Sequence, residues 1–130
     1  MALGLSPATA NAFLDALGNA ANYTADAAFW IQLHTADPGA AGTTAVAGNA
    51  TRKQVSFGAA ASGLISNDTA ITWTTGEVDT SEDYTHWSGW SASTSGTFRA
   101  SGTVTANAVT VGDEFTIPIG DLDISFNTAA

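Results

Sequence analysis

The chain has no cysteine and only three cations, Arg52, Lys53 and Arg99, among its 130 residues. Without cysteine there is no disulfide, no thiolate nucleophile and no zinc site built on Cys. Twelve acids against three bases leave a net charge of −9. That excludes a nucleic-acid face, because phosphates are neutralised by Lys and Arg. The plain reading of the acidity is solubility, and the functional one is docking to a basic surface. Charged residues make up 12% of the chain, about half the roughly 25% usual in soluble domains. Such a surface suits a protein packed against copies of itself or a large partner. Long apolar runs are also missing. None approaches the ~18 residues of a membrane span, and residues 1–5 lack the basic start and apolar core of a signal peptide. The expectation is no membrane contact.

What is present is alanine, threonine, glycine and a few large rings: six Phe, four Trp and two Tyr. One domain over 1–130 accommodates this length. A helical segment occupies 1–25, strands occupy 26–126, and 127–130 form a tail. The helix signal is Ser6 as a cap, Pro7 at the first helical position and Gly18 beyond the end. Ala10, Phe13, Leu14 and Leu17 make its apolar stripe. It lacks the basic face of a membrane-surface helix.

From Ala27 the apolar period is that of strands, as in Phe29, Ile31 and Leu33 or Phe115, Ile117 and Ile119. Strands are expected near 27–35, 52–57, 62–66, 70–75, 84–91, 96–101, 103–111 and 114–126, the last split at Gly120-Asp121. About eight short strands with Gly, Asn and Asp between them predict an all-β fold, an antiparallel, jelly-roll-like sandwich. Pro118 places its strand at an edge or bulge. A slip of apolar phase after Val104 predicts a bulge or turn around Asn107. Residues 38–50, rich in Gly, Ala and Thr, read as a long loop without charge.

Candidate chemistry is sparse. His34 and His86 are the only histidines, and His34 is followed by Asp37. A Ser-His-Asp triad needs all three groups together, but there is no Gly-x-Ser-x-Gly elbow. Each histidine reads better as a partly buried, hydrogen-bonded strand residue. Asp37-Pro38-Gly39 is a type II turn signal in its own right. Glu77, Asp79, Glu82 and Asp83 could offer oxygen ligands, yet their spacing is not that of an EF-hand loop. Asp113/Glu114 and Asp121/Asp123 read as turn and strand-edge acids, and nothing selects two carboxylates for glycoside hydrolysis. The expectation is no catalytic residue, no metal and no cofactor. In Tyr84–Trp90, strict alternation sends Trp87 to one face and Tyr84, His86 and Trp90 to the other. Tyr84, Trp87 and Trp90 are therefore candidates for an aromatic surface, at a sugar site or a subunit interface.

Several stretches together resemble a known family. "LHTADPG" (33–39), "TRKQVSFGAAASGLISNDTAITW" (51–73) and "YTHWSGWSASTSGTFRASG" (84–102) are similar to small virion proteins of tailed bacteriophages, especially those infecting actinobacteria. The likeness covers roughly residues 26–126. It implies a structural, non-enzymatic role in the virion and brings no catalytic residues. Proteins of this kind decorate capsids or belong to tails and tail fibres. No heptad or repeat is present for a fibre shaft. The expectation from that is a capsid decoration protein on the outer capsid surface. It would bind the major capsid protein as a homo-oligomer, with a trimer suiting threefold positions. The alternatives are a tail-fibre or other minor tail protein, and a carbohydrate-binding module. The candidate assembly contacts are Leu3, Leu5, Phe13 and Leu17 in the N-terminal segment, and Thr43, Thr44 and Val46 in the 38–50 loop.

Overall fold

The structure, a computed structural model, describes residues 3–129. The first two residues of the expected N-terminal segment and the last residue of the expected tail lie outside that range. Ser6 acts as its position predicts. Its Oγ accepts the Thr9 amide at 3.2 Å and donates to Thr9 Oγ1 at 2.9 Å. Pro7 opens helix α1 (Pro7–Gly18), and Asn19 caps its end by donating N–H to Asp15. Gly18 is thus the last helical residue rather than the first beyond the helix. The apolar stripe is narrower than expected. Phe13 packs edge-on against Tyr23 and Phe126, with ring centroids 4.5 and 5.8 Å apart. Leu14 and Leu17, by contrast, are 63% and 84% exposed. Among the described residues, nothing covers the last turn of the helix.

Strand β1 (Gly4–Leu5) precedes the helix and has no counterpart in the sequence pattern, being too short to show a period. The rest follow the pattern: β2 (Phe29–His34), β3 (Lys53–Val55), β4 (Leu64–Ser66), β5 (Ile71–Trp73), β6 (Glu82–Trp90), β7 (Phe98–Val109), β8 (Phe115–Ile117) and β9 (Asp123–Ser125). Every pairing is antiparallel. A five-stranded sheet in the order β1-β7-β6-β2-β3 packs against two ribbons, β4-β9 and β5-β8. This is the expected all-β sandwich, with one layer divided in two. Its core is built on Ile31, Leu33, Trp73, Tyr84, Trp87 and Leu122, all wholly or almost wholly buried. Pro118 lies just past β8, an edge strand.

One difference has a clear cause. The runs 96–101 and 103–111 form a single strand, β7, although Gly102 looks like a break. Gly102 is there because the Trp87 indole lies on it: a Cβ at 102 would stand 2.6 Å from the ring. The irregularity expected near Asn107 is present just ahead of it. Residues 104–106 of β7 stand opposite the single residue Thr85.

Candidate functional site: a sealed histidine and the surfaces around it

The second face of the large sheet carries the polar side chains of β2 and β6, and it is not open to water. Gln32, His34, Ser88 and Trp90 are all buried there. His34 Nδ1 donates to the Thr44 carbonyl at 2.7 Å, because a carbonyl only accepts. That leaves Nε2 to accept from the Ser88 hydroxyl at 2.7 Å. Trp90 Nε1 in turn donates to Ser88 Oγ at 2.8 Å. Burial lowers the His34 pKa below its ordinary value of 6.5, assisted by His86 and opposed by the Thr44 carbonyl. The imidazole is therefore neutral at pH 7 and fully engaged. Ser88 and His34 have the atoms of a catalytic pair, but a backbone carbonyl stands where a triad has its carboxylate. Asp37 is not that partner: its Oδ1 accepts the Gly39 amide at 2.8 Å.

Residues 38–50 seal this face. Gly39, at φ 77°, makes the turn that Asp37-Pro38-Gly39 predicts. The Thr44 amide returns to Pro38 O at 2.9 Å, and the Ala47 amide reaches Leu33 O at 3.0 Å. Gly42 lies against the Phe98 ring, where a Cβ would stand 2.5 Å away. The segment read as a long loop is thus a cover hydrogen-bonded to β2. It still presents Thr43, Thr44 and Val46 outward, with Val46 40% exposed. Arg52 closes the far end. It stacks 4.2 Å above the Trp90 ring and donates to the carbonyls of Ala92 and Ser95.

The aromatic candidates are corrected by the structure. Tyr84 and Trp87 belong to the same core, and Trp90 lies beneath Arg52, so none of the three offers an exposed face to a sugar. Strict alternation fails for Tyr84 because the ladder is interrupted between Tyr84 and His86. The added twist of such a bulge re-aims side chains. The Tyr84 ring consequently meets Phe115, with centroids 5.0 Å apart, in the layer that holds Trp87. His86 is half-buried and bonds the Thr85 hydroxyl at 2.7 Å.

The acids do not converge. Glu77 turns to Lys53 at 2.6 Å, and Glu82 accepts the Gly48 amide at 2.8 Å. Among the described residues, no group of three His, Asp or Glu side chains could hold a metal ion. No helix of the described residues is long and apolar enough to cross a membrane.

Around the N-terminal candidates the surface is apolar. Leu5 and Phe13 help line a groove of about 510 Å³ with Tyr23, Phe57, Leu64 and Phe126. Leu14, Leu17 and Phe126 stand exposed, and Leu3 is 37% exposed. Asp26 and Arg99 form a two-pronged ion pair beside the groove, at 2.7 and 2.8 Å. Asn67 gives no sequence signal beyond that of a turn residue, yet it organises the 118–122 turn. Its side chain donates to Thr69 and Pro118 carbonyls and accepts the Gly120 and Leu122 amides.

The fold and these surfaces define a small all-β structural module with a sealed polar network and an apolar flank. The family model for podophage GP4 fiber I protein gp80 matches residues 4–125. The match covers nearly the whole chain, and the chain belongs to this family. It is therefore a phage virion protein of the fibre type. No curated protein matches it in sequence.

Proposed function

We propose that the chain is a non-enzymatic structural component of a podophage tail fibre, joined to its neighbours through the apolar flank around α1. The observation that carries this reading is the fibre-family match over residues 4–125. The Ser88–His34 pair supports the non-enzymatic part, since both side chains are buried and neither meets a carboxylate. Labelling the protein in intact particles and imaging them tests the position. The expected label is on the tail appendages. A label spread over the head would favour the second reading, capsid decoration on the major capsid protein. What supports that reading is the compact module without heptads or repeats. Exposed aromatics for sugar binding are not available at Tyr84, Trp87 or Trp90, so the glycan reading has lost its motivating residues.

The assembly flank has its own test. We expect the isolated protein to form a homo-oligomer, with a trimer as the specific expectation. Leu17→Asp should reduce it to a monomer by light scattering. Leu17 is 84% exposed, so the folded monomer should lose only about 1 kcal/mol, the effect of an acid in the last helical turn. An unchanged mass would remove α1 from the interface.

A further inference from the structure

Among the described residues, the large sheet ends on a lane that is only partly filled. β1 pairs with the outer edge of β7 at Ala100 and Ser101 alone. Among the described residues, no strand pairs with that edge from Thr103 to Val109. The open stretch reads "TVTANAV". It has no charge and no proline, two of the devices that protect an exposed edge, and carries only the irregularity at 104–106 as a third. Its exposed residues include Thr103, Thr105 and Asn107.

A groove borders this edge. One part, of about 290 Å³, is lined by Val104, Thr105, Asn107, Thr116, Pro118 and Asp121. A second, of about 340 Å³, includes Gly4, Thr103, Asp121 and Asp123. Asp121 lines both. The outer wall is held in place, because Asn67 bonds the 118–122 turn at Pro118, Gly120 and Leu122.

We propose that this groove takes an extended segment of another virion protein, which adds a strand beside β7 and sets a Lys or Arg against Asp121. Unpaired N–H and C=O groups along the edge select an extended backbone. The Thr and Asn side chains suit small polar or β-branched partners. The carboxylates of Asp121 and Asp123 select a cation. A second copy of this chain is a poor source of that cation. Arg52 is held by two carbonyls and Trp90, Lys53 by Glu77, and Arg99 by Asp26. The inference rests on the proposed function only in taking the occupant to be a virion protein.

The test uses the intact protein and a synthetic peptide of alternating Thr and Val around a central Lys. Hydrogen exchange of the backbone amides is the readout. The expected result is new protection within 103–109 and none on the opposite sheet edge at β3. A peptide with Glu in place of Lys should bind roughly fivefold more weakly, the effect of losing about one exposed ion pair. Asp121→Asn should weaken the Lys peptide by a similar factor, with an unchanged melting temperature. A peptide N-methylated at alternate residues should give no protection. Absence of protection at 103–109, equal protection by the N-methylated peptide, or indifference to Asp121→Asn would each overturn the proposal. Protection that grows with protein concentration without peptide would overturn it too, in favour of pairing between copies. Because the experiment needs no particle, a head label in the imaging test would leave its outcome intact.

Discussion

Trp87→Ala should be the most damaging single change in this protein, costing about 3–5 kcal/mol as large-to-small changes at buried aromatics do. The indole sits where three strands meet. It lies on Gly102 of β7, faces Leu33 of β2 in register, and meets Phe29 edge-on with centroids 6.4 Å apart. Its removal leaves a void that glycine cannot fill. At about 4 °C per kcal/mol for a domain between the usual small and large cases, the melting temperature should fall by roughly 12–20 °C. Trp87→Phe should cost far less. The indole N–H is buried without a partner among the described residues, and an unsatisfied buried donor costs about 1–3 kcal/mol. Phe keeps most of the ring packing and discards that donor. Thermal unfolding of the two variants checks this, and equal losses would show that the N–H is satisfied. Gly102→Ala should destabilise through the same contact, by about 1–3 kcal/mol for overpacking.

His34 should make the fold sensitive to mild acid. In the unfolded chain its imidazole takes up a proton near its ordinary pKa of 6.5, whereas in the folded chain burial delays protonation to lower pH. The unfolded state therefore binds the proton first. The stability due to this group is fully present above about pH 6.5 and is lost as the pH falls toward the folded-state pKa. Protonation also upsets the network. Nε2 becomes a donor to Ser88 Oγ, which already accepts from Trp90, and the Ser88 hydroxyl loses its acceptor. Glu77 acts in a separate, lower window. Lys53 and the Thr74 amide hold its pKa below the ordinary 4.5, so its contribution is lost only as the pH drops below that value. His34→Ala should abolish the slope that sets in as the pH falls below about 6.5 and leave the lower one. The variant should also lose about 3 kcal/mol at pH 7, since the Thr44 carbonyl and Ser88 are left without their buried partner. Denaturant midpoints across this pH range decide the matter. A slope that survives in the variant would place the titrating group elsewhere.

Much of the architecture was legible in the residues. The strand period from Ala27, the Ser6-Pro7 helix start and the Asp37-Pro38-Gly39 turn are local signals, and each appears where it was expected. Local backbone preferences and the alternation of apolar residues suffice for these, because each acts over a few positions. The family resemblance likewise follows from stretches of sequence, and the fibre-family match agrees with its phage virion part.

What the sequence could not decide depends on neighbours distant along the chain. Gly102 looks like a turn until Trp87 is seen resting on it from the adjoining strand. Tyr84 looks like a surface ring until the ladder irregularity at 104–106 twists it into the core. His34 looks like a candidate for chemistry until residues 38–50 fold over it and supply a carbonyl in place of an acid. The open lane along β7 is of the same kind. Sequence marks "TVTANAV" as a strand, but whether a strand edge is paired depends on which segments lie beside it. Only the tertiary arrangement, with the described part of β1 pairing as far as Ser101 and the 118–122 turn across a groove, leaves that edge unpaired among the described residues.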